Sequence, residues 1–334
     1  MKGWKFVKPF EIEERDMDDS NLIVPHAKVR LTKALLTLKD VLRFNGEIEC
    51  ENVCLGSSGI GVISETDANM FDLEKGKRVF VEPFLTEDDS SFTNKLENTL
   101  IAGEDYDGFL RDFISSPIER IFILPDSVSD TEALFIGQIS LALDIIDRLN
   151  IKKGDYVSVV GANNLGNILA QLLIYYQAVP IVMTNNEHNY NVAKETGIYY
   201  ALNAEDNWHK EVFNITSGRM TDKVVYISDC NIPVIKAFSV ASYGAQVAFT
   251  GDFYKNNTFS FHQAVKKQLS IKCINFGLGN ASASINLIAN KAINLSKLSI
   301  GSGKYSEIPQ ILSNLSKAIT NDELINESII DLMK

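Results

Sequence analysis

Apolar residues in the second half of the chain change repeatedly between two spacings. A β-branched run that ends at Gly161 is followed, over residues 165–176, by leucine and isoleucine at the three- and four-residue spacing of a helix. The same alternation of strand and helix continues to about residue 276. Strands joined by helices form a parallel sheet, so the pattern predicts a doubly wound α/β domain. The predicted strands are residues 156–160, 179–183, 224–227, 246–250 and 271–276.

The first 125 residues have a different texture, with short runs bounded by glycine, asparagine and aspartate, which predicts an irregular β-rich domain. Its predicted strands are residues 27–31, 59–65, 78–82 and 121–124. Residues 87–107 are polar and acidic with little periodicity, so we expect them to form an exposed excursion.

After residue 280 the pattern becomes helical, with amphipathic stretches at 285–298 and 308–317 and a helix expected in the tail, 322–334. The predicted organisation is therefore a β-rich domain over 1–125, an α/β domain over 126–280 and a helical C-terminal return over 281–334.

Composition and charge narrow the possible partners. The 334 residues are 45% hydrophobic and 22% charged, which is typical of a folded globular protein rather than a disordered one. The net charge of −11 argues against nucleic acid or an anionic membrane surface as a partner and leaves small molecules and proteins.

The longest apolar runs fall short of the ~20 residues that span a bilayer. Without a secretory signal, a cytoplasmic location follows, and the four cysteines suit a reducing compartment with buried free thiols.

The strongest local motif is a glycine turn between a predicted strand and a predicted helix, Gly161-Ala-Asn-Asn-Leu-Gly166. The N-terminus of a helix attracts phosphate because its N–H groups are unpaired and its dipole end is positive. The spacing is that of G-x-G-x-x-G, but Asn163 replaces the glycine that lets the backbone approach a pyrophosphate. Two interpretations remain open: a dinucleotide site made by Gly161, Asn163, Asn164, Leu165 and Gly166, or a turn that binds nothing.

The end of the next predicted strand is where an NAD site usually places an acidic residue for the ribose. This chain has Thr184-Asn185-Asn186-Glu187-His188 there. Asn185 is the residue expected to hydrogen-bond the ribose, and His188 is expected to be a surface residue. Because neither an acid at the strand tip nor a following Arg or Lys is present, the choice between NAD and NADP stays open.

These features together resemble the medium-chain dehydrogenase/reductase superfamily of zinc-type alcohol, polyol and threonine dehydrogenases. The resemblance covers nearly the whole chain and rests on four segments whose order and spacing match the family. They are Leu55-Gly-Ser-Ser-Gly-Ile-Gly-Val62, Leu73-Glu-Lys-Gly-Lys-Arg-Val79, Tyr106-Asp-Gly-Phe-Leu-Arg-Asp-Phe113 and Leu124-Pro-Asp-Ser-Val-Ser-Asp-Thr-Glu-Ala133. The resemblance implies a GroES-like N-terminal domain and a Rossmann domain that binds NAD or NADP. It also implies a homodimer, through the apolar sheet edge near residues 273–276.

The resemblance also shows which family residues are missing. At the positions where the family holds its catalytic zinc, this chain has Thr37, Ser57, Ser58 and Gly137. Hydroxyls are poor zinc ligands compared with thiolate, imidazole and carboxylate. Residues 87–105, where relatives carry a structural zinc lobe, contain no cysteine. We therefore expect no zinc at either place.

A replacement for the positive charge of the zinc has one candidate, Lys39, which stands where relatives carry a proton-relay hydroxyl. Its ammonium would polarise a carbonyl, with Thr37 and Ser57 lining the same pocket; the alternative is a solvated lysine on a loop. Asp40 is expected to cap the start of a helix.

Two functions remain: a zinc-independent oxidoreductase acting on a small polar carbonyl, imine or activated alkene, or a catalytically silent binding or scaffold protein. The sequence names neither the substrate nor the direction of the reaction.

Overall fold

The computed structural model describes residues 1–17, 26–66, 73–86, 99–203, 206–228, 232–253, 261–298, 300–321 and 327–333. The chain divides into two compact units, Met1–Gly137 with Ile300–Lys334 and Gln138–Ser299. The strands are β1 (Lys2–Lys8), β2 (Glu11–Asp16), β3 (His26–Leu36), β4 (Ser58–Thr66), β5 (Arg78–Val81), β6 (Phe84–Thr86), β7 (Thr99–Ile101), β8 (Phe113–Pro117), β9 (Ile121–Ile123), β10 (Tyr156–Val160), β11 (Val179–Met183), β12 (Tyr200–Leu202), β13 (Thr221–Ile227), β14 (Ala241–Thr250), β15 (Ser270–Cys273), β16 (Ile300–Lys304) and β17 (Glu327–Asp331).

The helices are α1 (Leu38–Asn45), α2 (Asp130–Ala133), α3 (Ile136–Arg148), α4 (Asn164–Tyr175), α5 (Glu187–Glu195), α6 (Trp208–Ile215), α7 (Val234–Val240), α8 (His262–Lys266), α9 (Ala281–Ala289) and α10 (Ile308–Thr320). Two short 3₁₀ turns cover Ile118–Arg120 and Tyr305–Glu307. Within the described ranges, none of these helices combines the length and apolarity needed to cross a membrane.

The second unit contains the predicted parallel sheet. Its six strands lie in the order β12-β11-β10-β13-β14-β15, and every neighbouring pair is parallel. This is the Rossmann order, in which the first strand of the unit, β10, lies between the two halves. β10 is buried from Val157 onward, as expected for a central strand covered on both faces. The doubly wound α/β fold is confirmed.

The first unit is β-rich, as the sequence predicts. Its main sheet runs β16-β17-β3-β4-β5-β9, with β8 also pairing with β3. All of these pairs are antiparallel except β16 with β17. The β1–β2 hairpin and the β6–β7 pair are separate small sheets. The pattern reading missed both strands of that hairpin, although Trp4 and Phe6 alternate there with lysines.

The helix expected in the C-terminal tail is wrong for the residues that the structure describes. Residues 327–331 form strand β17, which is antiparallel to β3 on one side and parallel to β16 on the other. Ser328, Ile329 and Ile330 are buried in this position. The hydrogen bonds of an existing sheet overrode the weak helical pattern of a short segment. Residues 322–326 and 334, also in that prediction, lie outside the described residues.

The expected exposed excursion is also wrong where it is described. Residues 99–101 form β7, which pairs with β6, and the next residue, Ala102, is fully buried. Glu104, two residues on, contacts side chains of α1. Some of the polar side chains in this stretch therefore pair with charged residues inside the unit. The spacing of polar and apolar residues along the sequence does not reveal such pairing. Residues 87–98 lie outside the described residues.

The division into units differs from the predicted domains at two places, because residues 126–137 belong to the first unit and the region from residue 281 up to residue 298 belongs to the second. Helix α9 belongs to the Rossmann unit rather than to the C-terminal return. A hydrogen bond of 2.9 Å between the buried hydroxyls of Ser140 and Ser284 ties it to α3. The amphipathic pattern over 285–298 indicated a helix here, but the helix covers Ala281–Ala289 and residues 290–298 form turns and loop. The pattern also carries no information on which unit the apolar face packs against.

The three cysteines that the structure describes are free, but not all of them are buried. Cys50 and Cys54 are buried, and burial raises the pKa of their thiols to about 11 and about 12, so both are unreactive at neutral pH. Cys273 is exposed on β15, which corrects the expectation of buried thiols, since an edge strand leaves one side of its residues uncovered. Cys230 lies outside the described residues.

One acidic residue of the first unit gives a pH prediction. Burial raises the pKa of Glu82 to about 7, despite the opposing charge of Arg120. Between its ordinary pKa of 4.5 and this value the folded state binds more proton than the unfolded chain, so the contribution of Glu82 to stability falls as pH rises through that interval. Glu82→Gln should therefore be more stable than the wild type at pH 8 by roughly 2–3 kcal/mol, with the difference shrinking toward pH 4.5.

Urea unfolding at pH 5, 6, 7 and 8 measures this difference, with Glu74→Gln in an exposed turn as the control. A Glu82→Gln variant whose stability tracks the wild type across this range would show that the carboxyl ionises freely in the folded protein.

Candidate functional site

The first cluster of interest is organised by Asp40, a fully buried carboxylate in the first turn of α1. One oxygen, Oδ2, accepts hydrogen bonds from the backbone N–H of Thr37 at 2.9 Å and from the Ser57 hydroxyl at 2.7 Å. The other oxygen, Oδ1, accepts from the backbone N–H of Gly56 at 2.9 Å. The predicted helix cap is confirmed. Asp40 also ties α1 to the chain that enters β4, because Gly56 and Ser57 precede that strand.

The structure brings two of the predicted site residues, Thr37 and Ser57, together. Their hydroxyl oxygens are 3.0 Å apart, and Thr37 Oγ1 also lies 3.0 Å from Asp40 Oδ2. The triangle has three short oxygen–oxygen contacts, and the hydroxyls of Thr37 and Ser57 together supply two protons for them. With the protons directed inward along this triangle, the remaining hydroxyl lone pairs are the groups available to accept a hydrogen bond from a ligand hydroxyl. The arrangement suits the recognition of a polar oxygen.

Lys39, the predicted cationic residue, is neither on a loop nor fully solvated. It lies in the first turn of α1, and its Nζ is 2.8 Å from Glu104 Oε2. The same Glu104 oxygen accepts a hydrogen bond of 2.5 Å from Nη2 of Arg43, a fully buried guanidinium. Burial works to raise the pKa of Glu104, but the bonds and charges of Lys39 and Arg43 outweigh it and lower that pKa.

Arg43 joins the hydroxyl triangle to this ion pair. Its Nη1 lies 3.7 Å from Asp40 Oδ1, while its Nη2 reaches Glu104. Sequence reasoning missed both Arg43 and Glu104. An arginine inside the apolar run Val41-Leu42-Arg43-Phe44 was the one available signal, because a charge in such a run must find a buried partner.

The other two positions at which relatives hold zinc offer no strong ligand. Ser58 opens β4 and is buried, and its Oγ has no hydrogen-bond partner among the described residues. Gly137 lies in α3, with open space where a side chain would project. A search of the described ranges finds no group of three His, Cys, Asp or Glu side chains placed to hold a metal ion. Neutral hydroxyls and a glycine do not fit the requirement of Zn²⁺ for charged or imidazole donors.

The second candidate site is the predicted glycine turn of the Rossmann unit. β10 ends at Val160 and α4 begins at Asn164. Gly161 between them has φ +114°, a conformation that side chains rarely adopt. At Gly166 a Cβ would lie 2.1 Å from the carbonyl oxygen of Gly161, so only glycine lets the helix pack this closely on the turn. The backbone therefore forms the close strand-turn-helix cradle that a dinucleotide phosphate requires.

Asn163 has a structural role that its position in the motif did not suggest. Its φ is −64°, so the backbone does not demand glycine, and it is the N-cap of α4. Its side-chain Oδ1 accepts a hydrogen bond of 3.0 Å from the backbone N–H of Gly166. A bound phosphate would compete with this bond for one of the N–H groups at the helix N-terminus. The following residues Asn164 and Leu165 form the first turn of α4.

Asn185 lies where an adenosine ribose would be expected. β10 and β11 are parallel neighbours, and the N–H of Gly161 donates to the carbonyl of Met183 at 2.9 Å, so the glycine turn and the end of β11 share one edge of the sheet. Asn185 is exposed just beyond that strand. His188, in α5, is exposed, which confirms its prediction as a surface residue.

The cap made by Asn163 leads to a specific prediction. Asn163→Gly removes the side chain that occupies the Gly166 N–H, so NADH affinity should be kept or become tighter, at a stability cost of roughly a few tenths of a kcal/mol. Asn163→Ala should cost about 1 kcal/mol, because alanine neither caps nor relaxes the turn. Fluorescence titration with NADH and urea unfolding measure the two effects. Loss of NADH affinity in Asn163→Gly would identify the asparagine side chain as a ligand.

The chain is similar to known dehydrogenases in sequence. Residues 165–292 match the family model described as zinc-binding dehydrogenase. A zinc-type alcohol dehydrogenase-like protein of Haemophilus influenzae is 26% identical over 279 residues, covering 81% of this chain and 82% of that protein. The D-xylulose reductase of Saccharomyces cerevisiae is 24% identical, covering 72% of this chain and 71% of that protein.

Solved structures show the same fold over the full length. An alcohol dehydrogenase of Escherichia coli CFT073, complexed with NADH, superposes with a TM-score of 0.84 at 19% identity and covers 99% of each chain. An Escherichia coli oxidoreductase/dehydrogenase of unknown specificity reaches a TM-score of 0.88 at 15% identity, covering 100% of this chain and 99% of that one. In sequence and in fold the chain resembles the zinc-type alcohol dehydrogenases of the medium-chain dehydrogenase/reductase superfamily.

Proposed function

We propose that this protein is an NAD(P)-dependent oxidoreductase that works without zinc on a small polar carbonyl, imine or activated alkene, or on the corresponding reduced compound. The observation that carries the proposal is the hydrogen-bonded triangle of Thr37, Ser57 and Asp40. Thr37 and Ser57 stand at family zinc-site positions, yet together with Asp40 they form an ordered polar cluster instead of an apolar plug. A nicotinamide bound at the glycine turn would donate or accept the hydride.

Each residue of the cluster has a defined part in this proposal. The hydroxyl oxygens of Thr37 and Ser57 accept a hydrogen bond from the hydroxyl group of the alcohol form of the substrate, and Asp40 fixes their orientation. Lys39 lies in the first turn of the same helix as Asp40, with its Nζ against Glu104, and is proposed to add a positive charge near the reacting oxygen. Such a charge stabilises an oxygen that becomes negative in the transition state. The glycine turn from Gly161 to Gly166 holds the pyrophosphate, and Asn185 reaches the ribose. The NAD-or-NADP choice remains open.

A catalytically silent protein is the second candidate, and one observation favours it. The bond between Asn163 and Gly166 already occupies an N–H that a phosphate would use. Titration with NADH and with NADPH, followed by nicotinamide fluorescence, separates the two candidates without knowledge of the substrate. Binding of either nucleotide below millimolar concentration supports the oxidoreductase, and no binding of either at that concentration supports the silent protein.

Metal analysis and kinetics test the remaining parts of the proposal. Elemental analysis should find no stoichiometric zinc, and any activity should survive chelation; about one zinc per chain would refute the metal-free mechanism. Lys39→Ala should lower the turnover number ~10²-fold with little change in nucleotide affinity. Lys75→Ala, in an exposed turn, is the matched control. An unchanged turnover number in Lys39→Ala would remove that residue from the mechanism.

We also propose a homodimer formed through the outer edge of the Rossmann sheet. β15 is the last strand of that sheet. Of the predicted edge residues 273–276, only Cys273 lies on β15, where it is exposed, and Ile274 is buried, but Ile271 on the same strand is also exposed. An open strand edge carries unpaired backbone groups that a second copy, related by a two-fold axis, can pair with. Sedimentation at micromolar concentration should give a dimer, and a single species at the 37.1 kDa of one chain would contradict the proposal.

A further inference from the structure

Two cations of the first unit converge on a single carboxylate oxygen. Lys39 Nζ and Arg43 Nη2 both bind Oε2 of Glu104, at 2.8 and 2.5 Å. Two positive groups that meet at one point form a binding position for a small acid group. In this structure the Glu104 carboxylate occupies that position. The low pKa of Glu104, which burial opposes and the two cations bring about, is consistent with a position that favours a negative charge.

The cluster also has more hydrogen-bond donors than its acceptors use. Arg43 is fully buried, yet its Nε and Nη1 have no hydrogen-bond partner among the described residues. A buried donor without a partner destabilises the protein, because it has lost its hydrogen bonds to water without replacement. Buried guanidinium groups normally make paired bonds with carboxylate or phosphate oxygens. Only Nη2 of the Arg43 guanidinium binds Glu104, so a ligand with more oxygen atoms could also accept hydrogen bonds from Nε and Nη1.

The cation pair is reachable from one side. The side chains of Lys39 and Glu104 are 21% and 28% exposed, whereas that of Arg43 is not exposed at all. The position is therefore open at Lys39 and Glu104 and closed by Arg43. Glu104 follows β7 in a turn that is held by two backbone hydrogen bonds. The N–H of Glu104 donates to the carbonyl of Ile101, and the N–H of Gly103 donates to the carbonyl of Tyr106. A rotation of the Glu104 side chain alone would expose the two cations.

We infer that Lys39 and Arg43 form an anion site in which Glu104 stands in for the acid group of the substrate. The substrate class, which rests on the function proposed above, is then a small hydroxy or oxo compound that carries a carboxylate or phosphate near its reacting carbon. Arg43 supports this placement, because its other end lies against Asp40, which orients the Thr37 and Ser57 hydroxyls. The acid group and the reacting oxygen would bind at the two ends of one network.

Removal of the stand-in tests the inference without any knowledge of the substrate. Glu104→Ala should lower the thermal midpoint, and inorganic phosphate or acetate should restore it. By calorimetry the variant should bind one of these anions at least about tenfold more tightly than the wild type. The double variant Glu104→Ala with Lys39→Met should lose this gain. A larger gain with phosphate indicates a phosphate ester as substrate, and a larger gain with acetate indicates a carboxylate.

A matched control is available in the same unit. Asp130 pairs with Arg78 at 2.6 Å and is similarly half-buried, but among the described residues Arg78 is the one cation that binds it. Asp130→Ala should therefore show no anion rescue. Should Glu104→Ala fail to fold, Glu104→Gln keeps the side-chain shape, removes the competing charge and should show the same gain in anion affinity.

Equal anion affinity in the wild type, the Glu104 variants and Asp130→Ala would overturn the inference and leave Glu104 as a tie between α1 and the turn after β7. The anion titrations contain no nucleotide, so their result is independent of the NADH and NADPH titrations. Anion binding without nucleotide binding would refute the proposed oxidoreductase and keep the anion site, and the reverse result would refute the anion site alone.

Discussion

Replacement of Gly166 by alanine is expected to lower the free energy of unfolding by about 3 kcal/mol and NADH affinity by at least about tenfold. The physical reason is the contact between α4 and the turn before it. The new Cβ would lie 2.1 Å from the Gly161 carbonyl oxygen and 3.0 Å from Ile227 Cδ1. A backbone oxygen has no rotamer through which to retreat, so the helix itself must move, and the cradle for the pyrophosphate opens.

The chain provides a close control for this change in Gly137, which is also a helical glycine. Apart from the backbone of its own helix and its chain neighbours, nothing in the described ranges lies within 4 Å of the Cβ that Gly137→Ala would add. Alanine is also the better helix former, so that variant should gain roughly 0.5–1 kcal/mol. Urea unfolding and NADH titration on both variants give the comparison. A Gly166→Ala protein as stable as the wild type would show that α4 does not pack on the turn as described.

The second large effect is expected for Asp40→Asn, which should lower the free energy of unfolding by about 3–5 kcal/mol. The substitution keeps the shape but removes the negative charge opposite the buried Arg43. It also turns one acceptor oxygen into a donor. That donor would face the N–H of Thr37 and the Ser57 hydroxyl, or the N–H of Gly56, all of which donate to the carboxylate in the wild type.

Asp105→Asn is the matched control, because that exposed carboxylate accepts one backbone bond, from the N–H of Ile101 at 2.7 Å. Its cost should stay near 1 kcal/mol or below. Equilibrium unfolding at pH 7 measures the free energy of unfolding of both variants and of the wild type. A loss in Asp40→Asn no greater than in Asp105→Asn would mean that the buried network around Asp40 adds nothing to stability beyond an ordinary surface bond.

The two candidate sites differ in how far the sequence reveals them. The glycine turn is local: a strand, a tight turn and a helix within about a dozen residues leave their pattern in consecutive positions, and the turn lies where that pattern predicts it. The polar cluster is not local, because Asp40, Ser57 and Glu104 come from three separate stretches. The resemblance to a family indicated the positions 37, 39 and 57, but it said nothing about Glu104, which lies in a stretch that reads as exposed.

By itself, the sequence determined the parallel order of strands and helices in the Rossmann unit, the β-rich character of the first unit, and the glycines that shape the nucleotide turn. These features depend on hydrophobic periodicity and backbone conformation, which are properties of neighbouring residues. Only the tertiary structure decided that residues 327–331 form a strand, that Asn163 caps α4, and that Lys39 and Arg43 share the carboxylate of Glu104. Those outcomes depend on which distant groups meet in space, because edge hydrogen bonds and buried charges are satisfied by whatever partner the fold brings near.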